Sequence, residues 1–308
     1  MIVPTVDIGA WREASSEGRA AIAAEVDHAL CTSGFLLATH HGISTELTGR
    51  VRREAGAFFA LDADAKDAYA VRVGGRGWIP PGAEANSYAS GEESPPDLKE
   101  TFKVGFHSDG SPMANRWPSE VPGLRTATEV YLDEVWRVAL DCFDLFAVAL
   151  GLEPGTLRRH ASAEASSLNL NWYPSLRDVG PPEHGQFRIG AHSDFGVLTL
   201  LDRQVGYGGL QLLLDGEWVD APFVEGSMTV NVGDLLARWT GDRWRSTVHR
   251  VLPPSPEDAS EELMSLVCFC GVEPDTLVQT LDVAGPREYP PVLAGDYMLE
   301  KLAAIDTA

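Results

Sequence analysis

The sequence predicts a mainly β fold with flanking helices, and three observations predict it. From Ser167 onward the chain breaks into short apolar runs separated by Gly, Asp and Pro at close intervals, the punctuation of a β-sandwich or barrel. Before that point, short β-branched runs alternate with longer helical patterns. The 308 residues, 44% hydrophobic and 22% charged, also have the balance of an ordinary globular core. The most economical arrangement is one β core in the central and C-terminal part, wrapped by N-terminal helices.

The elements follow in order. Val3 to Ile8 is apolar and β-branched and reads as a strand. A helix is expected from about Glu17 to Cys31, with Ile22, Val26 and Leu30 on its apolar side and Ser33-Gly34 as its stop. Phe35 to Ala38 reads as a second strand ending at His40-His41-Gly42, and a second helix runs from about Thr45 to Ala60. The segment from Arg72 to Pro118 is rich in Gly, Pro, Ser and Asn and shows no period, so it reads as a long functional loop. Tyr131, Val135, Val138, Cys142, Leu145 and Ala149 then make one apolar helical stripe, a core-packing face that Gly151 ends. The strand-like runs are SLNLNWY (167–173), RIGAHSD (188–194), VLTLL (197–201), GLQLLL (209–214), EWVDA (217–221), SMTVNV (227–232), STVHRVL (246–252) and LMSLVCF (263–269). Asp215-Gly216 and Gly241-Asp242 read as hairpin-type turns. A last helix spans about Leu293 to Ala304. The expected organisation is a single domain over 1–308, with a mostly helical region (1–165) wrapping a core (166–290) and a C-terminal helix (291–308).

Composition excludes several functions. A formal net charge of -21 repels nucleic acid and anionic membrane surfaces. No apolar run approaches the ~20 residues of a membrane span. The start, MIVPTVDIGAW, lacks the basic and apolar regions of a signal peptide. Cys31, Cys142, Cys268 and Cys270 form no CxxC pair and no disulfide framework, and read as reduced thiols of a cytoplasmic protein.

The chemistry concentrates in Arg188-Ile189-Gly190-Ala191-His192-Ser193-Asp194. On a strand, residues two apart share a face, so His192 and Asp194 would point the same way. A third ligand is available from His249, on a later strand-like run after several intervening ones. Two histidines and a carboxylate on one face of an octahedron leave open positions, the arrangement of non-haem Fe(II) oxygenases. His28, His40, His41, His107, His160 and His184 lack a carboxylate at strand spacing and read as helix, loop or surface histidines.

The order of motifs resembles the isopenicillin N synthase-like branch of the 2-oxoglutarate and Fe(II)-dependent dioxygenases. The matching text is Asn171-Trp172-Tyr173-Pro174, HSDFGVLTLL (192–201), GGLQLLLDGEWVDAP (208–222), VNVGDLLARWTGDRWRSTVHRV (230–251) and the Ser265 region, with VPTVDI (3–8), SGFLLATHHGI (33–43), DLKETFKVG (97–105) and NRWP (115–118) before them. The resemblance implies a double-stranded β-helix (jelly-roll) core, with Fe(II) held by His192, Asp194 and His249. It also implies 2-oxoglutarate as co-substrate, contacted by Asn171 and Tyr173, and O2 as oxidant. The implied reaction hydroxylates, desaturates or cyclises a small molecule while 2-oxoglutarate becomes succinate.

One departure stands out. Where the family has Arg-x-Ser, with the arginine on the distal carboxylate of 2-oxoglutarate, this chain has Leu263-Met264-Ser265. The serine remains and the arginine is gone. Arg188, four residues before His192, is the expected replacement by strand parity, with Arg245 second. Two rival readings stay open: an Fe(II) oxidase that needs no 2-oxoglutarate, as isopenicillin N synthase is, and a metal-binding jelly roll with a non-redox role. The stretch from Arg76 to Lys103, with Trp78, Tyr88 and Phe102, is expected to wall the substrate pocket, with Trp239 on another side. Arginine far outnumbers lysine, which fits a high-GC bacterium and, by analogy, a tailoring step of secondary metabolism such as antibiotic biosynthesis. The expected partner is a small-molecule substrate, and the expected state a monomer or weak homo-oligomer.

Overall fold

Two β-sheets face each other across an internal cavity, and helices cover the outer face of the larger sheet. The computed structural model describes residues 3–91, 94–106, 113–283 and 285–305. In chain order the strands are β1 (Thr5–Asp7), β2 (Phe35–Thr39), β3 (Gly77–Ile79), β4 (Glu100–Gly105), β5 (Ala161–Tyr173), β6 (Ile189–His192), β7 (Leu198–Asp202), β8 (Leu210–Leu214), β9 (Glu217–Asp220), β10 (Met228–Val232), β11 (His249–Val251), β12 (Leu263–Val272), β13 (Leu277–Val278) and β14 (Val292–Leu293). The helices are α1 (Ile8–Glu13), α2 (Ser16–Thr32), α3 (Thr45–Phe59), α4 (Ala63–Asp67), α5 (Pro122–Ala149), α6 (Leu176–Val179), α7 (Asp234–Trp239) and α8 (Ala294–Ile305).

The larger sheet runs β1-β2-β10-β7-β12-β5-β4-β3 and the smaller one β6-β11-β8-β9. From β5 onward the chain passes from one sheet to the other and back, with antiparallel pairing throughout. This winding is the double-stranded β-helix, or jelly roll, with helices on its outside. On β4, β7, β12 and the part of β5 from Ser167 onward, odd-numbered residues face the cavity and even-numbered ones face the helices. The stripe on α5 lies against that second face: Tyr131, Val135, Val138, Cys142 and Leu145 are all buried in the main apolar cluster. Ser15 and Ser44 start α2 and α3 by accepting from Gly18 N and Leu47 N.

Three expectations need correction. The segment 72–118 holds two strands, β3 and β4, which extend the larger sheet and form one wall of the cavity. The mostly helical region expected before residue 166 thus gives that sheet, besides the two strands anticipated there (β1 and β2), also β3, β4 and the first residues of β5. Asp215-Gly216 does turn the β8–β9 hairpin, with φ of 50° and 87°. Gly241-Asp242, however, follows α7 and joins no hairpin, although both residues adopt positive φ.

Cys268 and Cys270 are buried on the helix-facing side of β12, with their sulfurs 3.5 Å apart and unbonded. Burial pushes the Cys142 and Cys270 thiols upward, which keeps them protonated and inert. All four cysteines should titrate with a thiol reagent in the denatured, unreduced protein. A count of two would reveal a bridge.

Candidate active site

His192 closes β6, and His249 opens β11. The two strands pair antiparallel with His249 directly opposite His192, so the register alone brings the rings together, their centroids 4.4 Å apart. Asp194 is not on the strand as expected. It sits in the loop after β6, so strand parity does not place it. The backbone does: the amides of Gly233, Asp234 and Leu235, at the start of α7, donate to the carbonyls of residues 194–197. Asp234 N to Asp194 O is 2.7 Å, and an added Cβ at Gly233 would lie 2.3 Å from Gly196 O, so only glycine permits this approach.

The result is a buried triad. Asp194 Oδ1 lies 3.7 Å from His192 Nε2 and 3.9 Å from His249 Nε2. Among the described residues these three side chains form the one histidine, cysteine and carboxylate group compact enough to hold a metal ion. The remaining polar atoms are already engaged. His192 Nδ1 meets Gly190 O at 2.8 Å and His249 Nδ1 meets Thr247 O at 3.1 Å, so each ring carries its proton on Nδ1 and presents the Nε2 lone pair. Asp194 Oδ2 accepts from Thr199 Oγ1 and Asn231 Nδ2, both at 2.6 Å, which leaves Oδ1 free.

Electrostatics agree with this arrangement. Burial pushes the His249 pKa down to about 4, helped by the His192 ring and opposed by Asp194, so His249 is neutral at neutral pH. Burial acts to raise the Asp194 pKa, yet both imidazoles and its two hydrogen bonds hold it below the usual carboxylate value. Two imidazole nitrogens and one anionic oxygen suit a divalent metal of the Fe(II) kind. The donor set therefore fits the ion that the resemblance implies.

The cavity beside the triad has a volume of about 680 Å³ and is lined by residues of both sheets and of α8. Asn171 and Tyr173 of β5 line it, as does Ser265 of β12, which stands opposite Asn171 in register. Asn171 Oδ1 accepts from Thr101 Oγ1 at 2.9 Å. Arg188 does not line the cavity, although its guanidinium lies 5.4 Å from the centroid of the Tyr173 ring. It precedes β6, its side chain is 2% exposed, and its guanidinium pairs with Glu261 Oε1 at 3.0 Å. Arg245 is half-exposed and pairs with Asp215. The cavity instead receives Arg203, the residue after β7, which sequence reasoning missed because no motif surrounds it.

The aromatic wall also needs correction. Trp78, Phe102 and Trp239 are buried in the main core, and Tyr88 lies on the surface. Polar neighbours from the same segment, Arg76, Glu84, Lys99 and Lys103, face the cavity. Asp97 supports the site from behind: its Oδ1 accepts from Gly190 N at 2.9 Å, and burial raises its pKa to about 6. Thr199 and Asn231 were missed as well, although a buried asparagine within the apolar run VNV was a readable signal. Of the other histidines, His40 pairs with Asp7 on the surface, His41 is packed against Gly226 O, and His107 lies outside the described residues.

The comparisons with known proteins bear on this site. Residues 165–272 match the 2OG-Fe(II) oxygenase superfamily, and residues 3–122 match the N-terminal region described as non-haem dioxygenase in morphine synthesis N-terminal. The chain is 40% identical to validamycin A dioxygenase of Streptomyces hygroscopicus subsp. limoneus, over 97% of this chain and 85% of that protein. It is 30% identical to gibberellin 20 oxidase 2 of Oryza sativa, over 96% of this chain and 74% of the relative. Among solved structures it is similar to a Neurospora crassa protein crystallised in complex with alpha-KG and thymine, with a TM-score of 0.87 and 26% identity over 98% of this chain and 96% of that one. The chain belongs to the isopenicillin N synthase-like branch of the 2OG-Fe(II) oxygenase superfamily and is a dioxygenase that uses Fe(II), 2-oxoglutarate and O2.

Proposed function

We propose that His192, Asp194 and His249 hold the Fe(II), and that Asn171, Tyr173, Ser265 and Arg203 receive 2-oxoglutarate, so that the chain oxidises a C–H position of a small molecule in bacterial secondary metabolism. One observation carries the reading. Every polar side-chain atom of the triad except His192 Nε2, His249 Nε2 and Asp194 Oδ1 already has a protein partner. Bound there, Fe(II) with 2-oxoglutarate and O2 supplies the oxidising power to remove hydrogen from carbon; for a hydroxylation, the substrate gains one oxygen atom while 2-oxoglutarate becomes succinate and CO2.

The chain's own residues bind and orient. Thr199 and Asn231 hold Asp194 so that one oxygen faces the metal position. Phe35 packs its ring edge-on against His249 at 5.5 Å and fixes that imidazole. Leu201, Leu210 and Val267 make the cavity wall apolar beside these groups, which excludes bulk water.

Arg203 takes the distal carboxylate, in place of the Arg188 expected from the sequence. Continuing the β7–β12 ladder one residue past Asp202 and Leu266 sets Arg203 opposite Ser265. Its guanidinium is held by Pro222 O at 2.9 Å and lies over the Phe223 ring, and among the described residues it pairs with no carboxylate. Charge also balances. Fe(II) with Asp194 leaves one positive charge and Arg203 adds a second, matching the dianion of 2-oxoglutarate. Arg188, tied to Glu261, has no such freedom.

The likeness to a Streptomyces validamycin A dioxygenase supports a tailoring step of antibiotic biosynthesis. Among the described residues no helix is long and apolar enough to cross a membrane. The net charge of -21 argues against nucleic acid as a partner, and the unpaired thiols support a cytoplasmic location. Metal-dependent conversion of 2-oxoglutarate to succinate is the assay that tests this function.

A further inference from the structure

We propose that Lys103 and Asn169 form the substrate-recognition pair of the cavity, that the group they grip is a hydroxyl, and that the substrate is therefore a hydroxyl-bearing small molecule. The proposal rests on the dioxygenase function and adds the substrate class to it. Lys103 and Asn169 stand directly opposite each other on β4 and β5 and both line the cavity. Directly opposed residues of an antiparallel pair have Cβ atoms about 5 Å apart, close enough for both side chains to reach one ligand atom.

Among the described residues neither side chain has a partner. Asn169 is 8% exposed, and its Oδ1 is buried with no hydrogen bond, which is costly unless a ligand supplies the donor. No acceptor among those residues lies within hydrogen-bond reach of the Lys103 ammonium. Burial lowers its pKa, while Glu84 opposes that shift. The neighbouring charges are spoken for. Glu84 is paired with Lys99, and Arg76 donates to the carbonyls of Met113 and Glu164. The wall thus presents an unpaired ammonium beside an unpaired carboxamide whose oxygen is buried.

The combination selects the ligand group. A carboxylate or phosphate would accept from Lys103 and could meet Asn169 only through Nδ2, leaving the buried Oδ1 without a donor. A hydroxyl accepts from Nζ and donates to Oδ1, satisfying both. Position adds a second constraint. The row holding Lys103, Asn169 and Val267 lies one two-residue step along the strands from the row of Thr199, which holds Asp194. It lies sideways as well, since β5 stands two strands from β7, about 10 Å at ordinary strand spacing. The gripped hydroxyl is therefore not on the carbon being oxidised; it positions a substrate that extends across the cavity toward the metal.

The test is calorimetric titration of the anaerobic protein, loaded with Fe(II) and 2-oxoglutarate, with three probes: myo-inositol, trehalose and cyclohexanecarboxylate. At least one of the two polyols should bind and cyclohexanecarboxylate should not. Lys103→Met and Asn169→Leu should each weaken polyol binding by about ten- to a hundred-fold, and the double variant should lose little more, because both groups hold one hydroxyl. Lys103→Gln, a neutral donor, should retain most of the polyol affinity. Failure of both polyols to bind the wild type overturns the proposal. So does a pattern in which cyclohexanecarboxylate binds, Lys103→Gln is as damaging as Lys103→Met, and Asn169→Leu has no effect, since that describes an anion site. The visible charge-transfer absorption of Fe(II)-chelated 2-oxoglutarate, recorded on the same samples, separates the two levels. Its presence in every variant confines a failure to the recognition pair, and its absence in the wild type overturns the dioxygenase function itself.

Discussion

Asp194→Ala should abolish Fe(II) binding and lower 2-oxoglutarate turnover by at least about a thousand-fold. The substitution removes the sole anionic donor of the triad and leaves Thr199 Oγ1 and Asn231 Nδ2 aimed at empty space. His192→Ala and His249→Ala should be as severe, because each removes one of three protein ligands and, among the described residues, no other histidine is close enough to replace it. Thr199→Val and Asn231→Ala should cost less, about ten- to a hundred-fold in metal affinity, because they loosen the carboxylate without deleting it. Anaerobic metal titration with elemental analysis of the desalted protein checks both levels. Retention of one equivalent of Fe(II) by the His192→Ala/His249→Ala double variant would refute the assignment.

Arg203→Met should weaken 2-oxoglutarate binding by about ten- to a hundred-fold, the scale of one lost charge-assisted pair. The effect should depend on the distal carboxylate, so binding of pyruvate, which chelates by the same 2-oxo acid group but lacks the second carboxylate, should be unchanged. Adding Leu263→Arg to Arg203→Met should restore 2-oxoglutarate affinity, since residue 263 lines the same end of the cavity beside Tyr173. Arg188→Met should behave differently. It leaves Glu261, whose side chain is 17% exposed, without its cation, and the protein should lose about 3–5 kcal/mol of stability. Its 2-oxoglutarate affinity should move little. A large loss of 2-oxoglutarate affinity in Arg188→Met, with none in Arg203→Met, would return the anchor to Arg188.

The proposed ligands were legible because the relevant physics is local. His192 and His249 stand on strands whose text announced them, and the β6–β11 register then makes them neighbours. Asp194 was identified for a partly wrong reason. Strand parity places it correctly on paper, yet the strand ends at His192, and amides from the start of α7 hold the loop. The same parity argument does not carry Arg188 into the cavity lining, because β6 begins only at Ile189 and the guanidinium pairs with Glu261 beside the Tyr173 ring. A four-residue strand carries no parity beyond its ends. The pocket wall was misread through residue type. The run Thr101-Phe102-Lys103-Val104 alternates polar and apolar, a strand signal hidden by the Gly- and Pro-rich text around it. Once β4 is seen, Phe102 goes to the core and Lys103 to the cavity, the reverse of an aromatic substrate wall. Arg203 and Asn169 carry no local signature. Their proposed roles follow from neighbours on β12 and β4, which sequence spacing does not supply.

The most direct measurement is the yield of succinate from 2-oxoglutarate, followed with O2 uptake, in protein supplied with or stripped of Fe(II). The expected result is succinate and CO2 formed one for one with O2 consumed, only when Fe(II) is present, with a rate that rises when the right substrate is added and vanishes in Asp194→Ala. O2 uptake with no succinate would contradict the account and point to an oxidase that does not use 2-oxoglutarate. Full metal occupancy at the triad with neither O2 uptake nor succinate, whatever substrate is added, would contradict it altogether.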